Sequence, residues 1–194
     1  MNWIENVLII GGISLDIFAA MEIEGAMLAE VKKKSLAIAC ALVTILQLGF
    51  FFGGYGICYQ LSKHELLQHA DWLGYTIATI VLAFLGIRLI VKAIRREFVN
   101  ESRGEIKVSN YIRIIAVASL YTLMAGCAYG LIGTNVLGIF FIIIICSLLV
   151  VVGGLYTGYH FGFEKKTWAY VIGAVLLWVA AGEVFYARVF PYIG

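Results

Sequence analysis

Six apolar runs divide the chain, at roughly 6–28, 36–60, 73–94, 111–133, 136–159 and 168–188. Each has about the 20 residues that a helix needs to cross the hydrocarbon core of a bilayer. The polar breaks between them are short. The first is Glu30-Val-Lys-Lys-Lys, and the second runs from Ser62 to Trp72 with Lys63, His64, Glu65, His69 and Asp71. The third, Arg95 to Ser109, carries mixed charge and no apolar period, as expected of a solvated linker. The fourth is the tight turn Thr134-Asn135, and the fifth is Glu164-Lys165-Lys166. Membrane barrel strands alternate apolar and polar residues; these runs are continuously apolar, and Pro191 is the one proline. The pattern predicts an all-α membrane protein with six transmembrane helices.

The runs repeat. Ile9–Gly25 (IIGGISLDIFAAMEIEG) aligns with Ile114–Gly130 (IIAVASLYTLMAGCAYG), sharing Ile-Ile, Ser-Leu, an Ala and the final Gly. Asp16 then falls against Tyr121, Glu22 against Cys127 and Glu24 against Tyr129. In the second runs of each half, Phe50-Phe-Phe-Gly-Gly and Tyr59 match Val150-Val-Val-Gly-Gly and Tyr159 at an offset of one hundred. Glycines at such places let helix backbones approach closely in lipid. Each copy holds three spans, an odd number, so the second copy is expected upside down relative to the first. The predicted organisation is a three-span repeat over 1–94, a cytoplasmic linker over 95–110 and a second, inverted repeat over 111–194. Inverted repeats are common in secondary transporters, with the site near the midplane where the repeats meet.

Composition supports the membrane assignment, since 62% of the 194 residues are hydrophobic and 13% charged, against about 25% charged in soluble domains. A net charge of +2 gives no reason to expect nucleic acid as a partner. Of the 14 Lys and Arg residues, eleven fall at breaks one, three and five, among them Lys33, Lys92, Arg96, Lys107, Arg113 and Lys166. Lys63 and Arg188 lie on the other side, and Arg88 lies within a span. The positive-inside rule therefore puts those three breaks in the cytoplasm and both termini outside. The expected location is the bacterial cytoplasmic (inner) membrane. The first run carries a carboxylate in its middle, unlike a cleavable signal, and is read as a retained span. Cys40, Cys58, Cys127 and Cys146 have no metal-ligand spacing and read as small packing residues.

Candidate chemistry concentrates in the first span. Asp16 lies about ten residues into it, about 15 Å deep at about 1.5 Å per residue. An ionisable group at that depth is expensive and points to function. It is either a cation or proton ligand, or a structural carboxylate paired with Arg88 or a serine. Ser14 and Gly11-Gly12 precede it. On an ideal helix Glu24 projects about 80° from Asp16, and Glu22 about 120° the other way. Glu24 is therefore able to line the same vestibule as Asp16, whereas Glu22 needs another partner; alternatively both mark a solvated helix end. Gln47, mid-span in the second run, offers either a neutral oxygen to a hard cation or a hydrogen bond across helices. Arg88 is expected to snorkel with Lys92 towards the interface. His64 and His69 read as solvated, and Trp3, Trp72 and Trp168 fit an interfacial belt. No nucleotide loop, nucleophile elbow or zinc motif is present, so an enzyme is not expected.

Four segments carry a family resemblance: Ser14-Leu-Asp-Ile-Phe-Ala-Ala, Gln47 through Gly54-Tyr55, Leu85-Gly-Ile-Arg-Leu-Ile and Ala118-Ser-Leu-Tyr. With them the chain resembles the bacterial manganese efflux pumps of the MntP type, in the lysine-exporter superfamily. The resemblance implies export of a divalent cation, with manganese as substrate rather than cofactor and Asp16 at the family's first intramembrane aspartate. The family's second such aspartate is Tyr121 here, and a family proline is Phe51. The expected function is export by alternating access, with Asp16 as ion ligand. Gln47, Glu24 and Glu22 are further oxygen donors, and Ser14, Ser119, Tyr121, Cys127 and Arg88 support them. The alternatives are an exporter of an amino acid or other small cation, and a non-transporting structural or regulatory protein. Expected partners are the lipid bilayer and the small cation, in a monomer or homodimer.

Overall fold

The computed structural model describes residues 3–28, 33–62, 71–94, 108–132, 136–162 and 165–193. Those residues form α1 (Trp3–Met27), α2 (Lys33–Ser62), α3 (Asp71–Ile94), α4 (Val108–Ile132), α5 (Val136–Phe161) and α6 (Lys166–Val184). A π-helical turn (Phe185–Val189) and the short α7 (Phe190–Ile193) follow α6. No strand occurs among them. The six long helices coincide with the six apolar runs to within a few residues at each end. Helices are the expected answer, because backbone groups in hydrocarbon must find their hydrogen bonds within the segment. Five of the six, all but α4, are long and apolar enough to cross a membrane when the described residues are taken alone. The side chains of α4 before Ser119 lie outside the described residues, as do His64, His69, the 95–107 portion of the linker and the Thr134-Asn135 turn.

The helices pack mainly as α1 on α5 and α2 on α4. α3 lies on α6, α6 also on α1, and α3 also on α4; α2 meets α5, and α1 meets α4. Large exposed apolar residues, such as Ile45, Leu137, Phe141, Ile145 and Leu149, cover the outer surface. The inward faces form a core around Ile9, Ile13, Phe51, Tyr129, Ile139 and Leu177. A second cluster, including Ile17, Met21, Val43, Val151 and Leu155, joins α1, α2 and α5. α5 ends at Gly162, whose φ of 68° lies in the left-handed region that glycine enters without penalty.

Two of these contacts are very close, and glycine makes them so. On the α1–α5 crossing, a Cβ at Gly25 would overlap the Leu155 carbonyl, and one at Gly158 the Glu22 carbonyl. Gly154 lies in the same way against the Phe18 carbonyl. On the α2–α4 crossing, Gly54 meets the Leu123 carbonyl, Gly126 the Phe51 carbonyl and Gly130 the Tyr55 carbonyl. Of the Gly53-Gly54 pair only the second is in contact; nothing lies within 4 Å of a Cβ at Gly53.

This contrast is measurable. Gly158→Ala should lower the unfolding midpoint in detergent by the equivalent of about 1–3 kcal/mol, as overpacking does. Gly53→Ala should leave it unchanged or raise it, since Ala is the better helix former by up to about 1 kcal/mol. Equal midpoints for the two variants would contradict the packing.

Candidate functional site

Asp16 sits midway along α1, 1% exposed. The Lys92 ammonium, from the last turn of α3, donates to Asp16 Oδ1 at 2.7 Å and Oδ2 at 2.9 Å. Sequence reasoning points to Arg88 as the cation for such a pair; Lys92, one helical turn further on, makes the contact. Rather than snorkel outward, Lys92 turns its amine inward. The ammonium also lies 4.3 Å from the centre of the Tyr121 ring and 5.7 Å from that of Tyr170. Arg88 lies over Tyr121 too, at 5.7 Å. An anion buried in a bilayer needs a counter-charge, and α3 supplies it. Tyr121 presents its ring face to that cation.

The two glutamates go elsewhere. Glu22 and Glu24 are 0% and 2% exposed, so neither is the solvated helix end that sequence allows. The Lys165 backbone N–H donates to Glu22 Oε1 at 2.9 Å, and the Lys166 backbone N–H also bonds this carboxylate. These amides open α6, where N–H groups lack intrahelical acceptors and the helix dipole is positive. Glu22 thus caps a helix other than its own. Glu24 Oε2 is buried with no hydrogen-bond partner. Among the described residues, no three His, Cys, Asp or Glu side chains come together around one ion site. Asp16, Glu22 and Glu24 therefore do not form a single cluster.

Gln47, 2% exposed, meets Ser147 on α5. Ser147 Oγ also lies 2.6 Å from the Ile143 carbonyl, so its single proton serves either acceptor. The cross-helix hydrogen bond is the contact seen for Gln47. Ser14 and Ser119 are buried, each with a hydroxyl lacking a partner. Cys127 bonds the thiol of Cys58, joining α4 to α2, and both remain free cysteines.

Three participants escape a reading of the sequence. Lys92 resembles an interfacial lysine by position, yet it is the basic residue of α3 that meets the buried Asp16. Ser147 is findable, because it stands one hundred residues after Gln47, the offset of the repeat. Glu5 precedes the first apolar run yet is buried and acts electrostatically on Tyr129, which itself carries an unpartnered hydroxyl. No sequence signal marks it.

Among the described residues the arrangement is a polar centre inside an all-helical membrane bundle, with the Lys92 ammonium on the Asp16 carboxylate and tyrosine faces beside that ammonium. Over residues 30–185 the chain matches the Mntp family, described as "Putative manganese efflux pump". This covers most of its length, and the chain belongs to that family of multi-pass membrane transporters. The match takes in Lys92, Gln47, Tyr121 and Ser147 and begins after Asp16. No curated protein and no solved structure matches the chain.

The ion pair has a thermodynamic signature. Asp16→Asn strands the Lys92 ammonium and should destabilise the protein. The loss should be smaller than the ~3–5 kcal/mol of a fully buried pair, because Lys92 is 27% exposed. Adding Lys92→Gln should recover most of it. A double-mutant cycle on unfolding midpoints should give a coupling of about 1–3 kcal/mol; zero coupling would mean that the contact contributes nothing.

Proposed function

We propose that the chain exports a divalent cation of the manganese class by alternating access, with Asp16 as the central ion ligand. Family membership supports the class of substrate. The observation on this chain that carries the reading is the Asp16 carboxylate, buried mid-bundle and already gripping a cation through both oxygens. Carboxylate and amide oxygens suit manganese or magnesium better than soft metals. Gln47 and Glu24 are the further donors in this reading, reached when the helices rearrange. Glu22 holds α6 to α1 rather than the ion.

The bundle is read as two inverted three-helix repeats, 1–94 and 111–194, joined by a cytoplasmic linker. Contact symmetry supports this. Exchanging α1 with α4, α2 with α5 and α3 with α6 leaves the set of packed helix pairs given above unchanged. Individual contacts obey the same exchange at the offsets of the sequence repeat. Gly25 on Leu155 corresponds to Gly130 on Tyr55, and Gly154 on Phe18 to Gly54 on Leu123. Gly158 on Glu22 corresponds to Cys58 with Cys127. Rocking of one repeat on the other is the proposed motion. The protein is placed in the bacterial inner membrane with both termini outside, on the strength of its Lys and Arg distribution.

A second reading, export of a small organic cation, is favoured by one observation. An ammonium between a carboxylate and tyrosine faces, as Lys92 is, models how an amine substrate would bind.

Export is tested in a bacterial strain stripped of its manganese exporters. The wild-type chain should restore growth on high manganese. Asp16→Asn/Lys92→Gln, chosen to preserve stability, should be present in the membrane at similar levels and fail to protect. Full protection by the double variant would sink the role of Asp16, and an effect of amines but not metals would favour the organic cation. Topology is checked by single-cysteine labelling at Lys33 and Lys166 after replacing the four native cysteines. Both sites should react only with reagents that reach the cytoplasm, and labelling of either from outside would reverse the orientation.

A further inference from the structure

The cation on Asp16 belongs to the protein. Lys92 Nζ bonds both carboxylate oxygens, at 2.7 and 2.9 Å, which is where a metal ion held by both oxygens would sit. The pair is electrically neutral as it stands. A divalent ion added beside a retained ammonium would place two cations on one carboxylate in a low-dielectric interior, where like charges repel strongly. Ion and ammonium therefore exclude one another. The two ends of the pair also differ in access. Asp16 is held at 2% side-chain exposure, whereas Lys92 is 27% exposed. Its flexible four-carbon stem comes from the last turn of α3, so its amine can swing away while the carboxylate stays. The Tyr121 face attracts the ammonium at close range, but a ring supplies no oxygen donor to replace the water of a hard divalent ion.

We propose that Lys92 is a tethered competitor for the transported ion and sets the affinity of the Asp16 site. The proposal rests on the reading of Asp16 as ion ligand. The ion binds when the Lys92 ammonium withdraws; when the ion leaves, the ammonium returns. The return restores the ammonium to Asp16 before the empty carrier reorients. It also closes the vacated site against re-entry of the ion.

The test is Mn2+ binding to the purified full-length protein, followed by loss of the free-ion paramagnetic resonance signal. Lys92→Gln removes the competitor and should bind Mn2+ at least tenfold more tightly than wild type. Lys92→Arg replaces it with a fork that matches the carboxylate and should bind at least tenfold more weakly. Unchanged or weaker binding in Lys92→Gln, or unchanged binding in Lys92→Arg, overturns the proposal. Should Lys92→Gln not fold, the wild type decides. Saturating Mn2+ should speed acylation of Lys92 by a membrane-permeant amine reagent several-fold, read by mass spectrometry, and an unchanged rate overturns the proposal. Binding that is lost in Asp16→Asn but indifferent to both Lys92 substitutions leaves Asp16 as ligand and removes the competition. Binding absent from wild type and Lys92→Gln alike overturns both.

Discussion

Everything in this bundle depends on how closely α1 approaches α5 and α2 approaches α4. In lipid the apolar surface of a helix gains little by meeting another, because the acyl chains are as apolar as leucine. Association must come from van der Waals contact and polar pairing, both of short range. Gly25, Gly154 and Gly158 on one crossing, and Gly54, Gly126 and Gly130 on the other, bring backbone onto backbone. A single added methyl at most of these points would meet a carbonyl oxygen. Such crossings fix helix positions tightly enough that a carboxylate on α1 and an amine on α3 can meet within hydrogen-bonding distance.

The polar centre uses that precision sparingly. Asp16 is matched by Lys92, Glu22 by the opening amides of α6, and Gln47 by Ser147. Each pairing joins two helices and so helps to hold the bundle together. Glu24 Oε2, Ser14 and Ser119 have no such match. Glu22 is engaged by backbone, whereas Asp16 is engaged by a movable side chain. Asp16 therefore cannot be altered without also altering the balance of charge inside the protein.

The helices were almost fully legible in the sequence, since runs of about 20 apolar residues have few alternatives in a membrane. The glycine contacts were half legible: the Gly-Gly pairs stood out, but only the three-dimensional path shows that Gly54 packs and Gly53 does not. The buried ion pair was legible at its anion and illegible at its cation. Asp16 announces itself by lying in apolar surroundings, whereas Lys92 lies where interfacial lysines usually do. A lysine stem can lead outward or inward, and the choice depends on what α1 presents to it. The buried state of Glu22 and Glu24 was hidden for the same reason: a carboxylate near a helix end is solvated unless another element covers it, and here the start of α6 does so for Glu22.

The order of synthesis gives the Glu22 cap a further meaning. Glu22 finds its acceptor role 143 residues later in the chain, and Asp16 finds Lys92 76 residues later. At about 5–20 residues per second of translation, α1 waits roughly 4–15 s for the partner of Asp16 and about 7–30 s for that of Glu22. Until those partners are made, Asp16 and Glu22 lack the groups that match them in the folded bundle. A helix in that condition is poorly suited to bare lipid. The polar contacts of α1 are thus complete only when the start of α6 has been made.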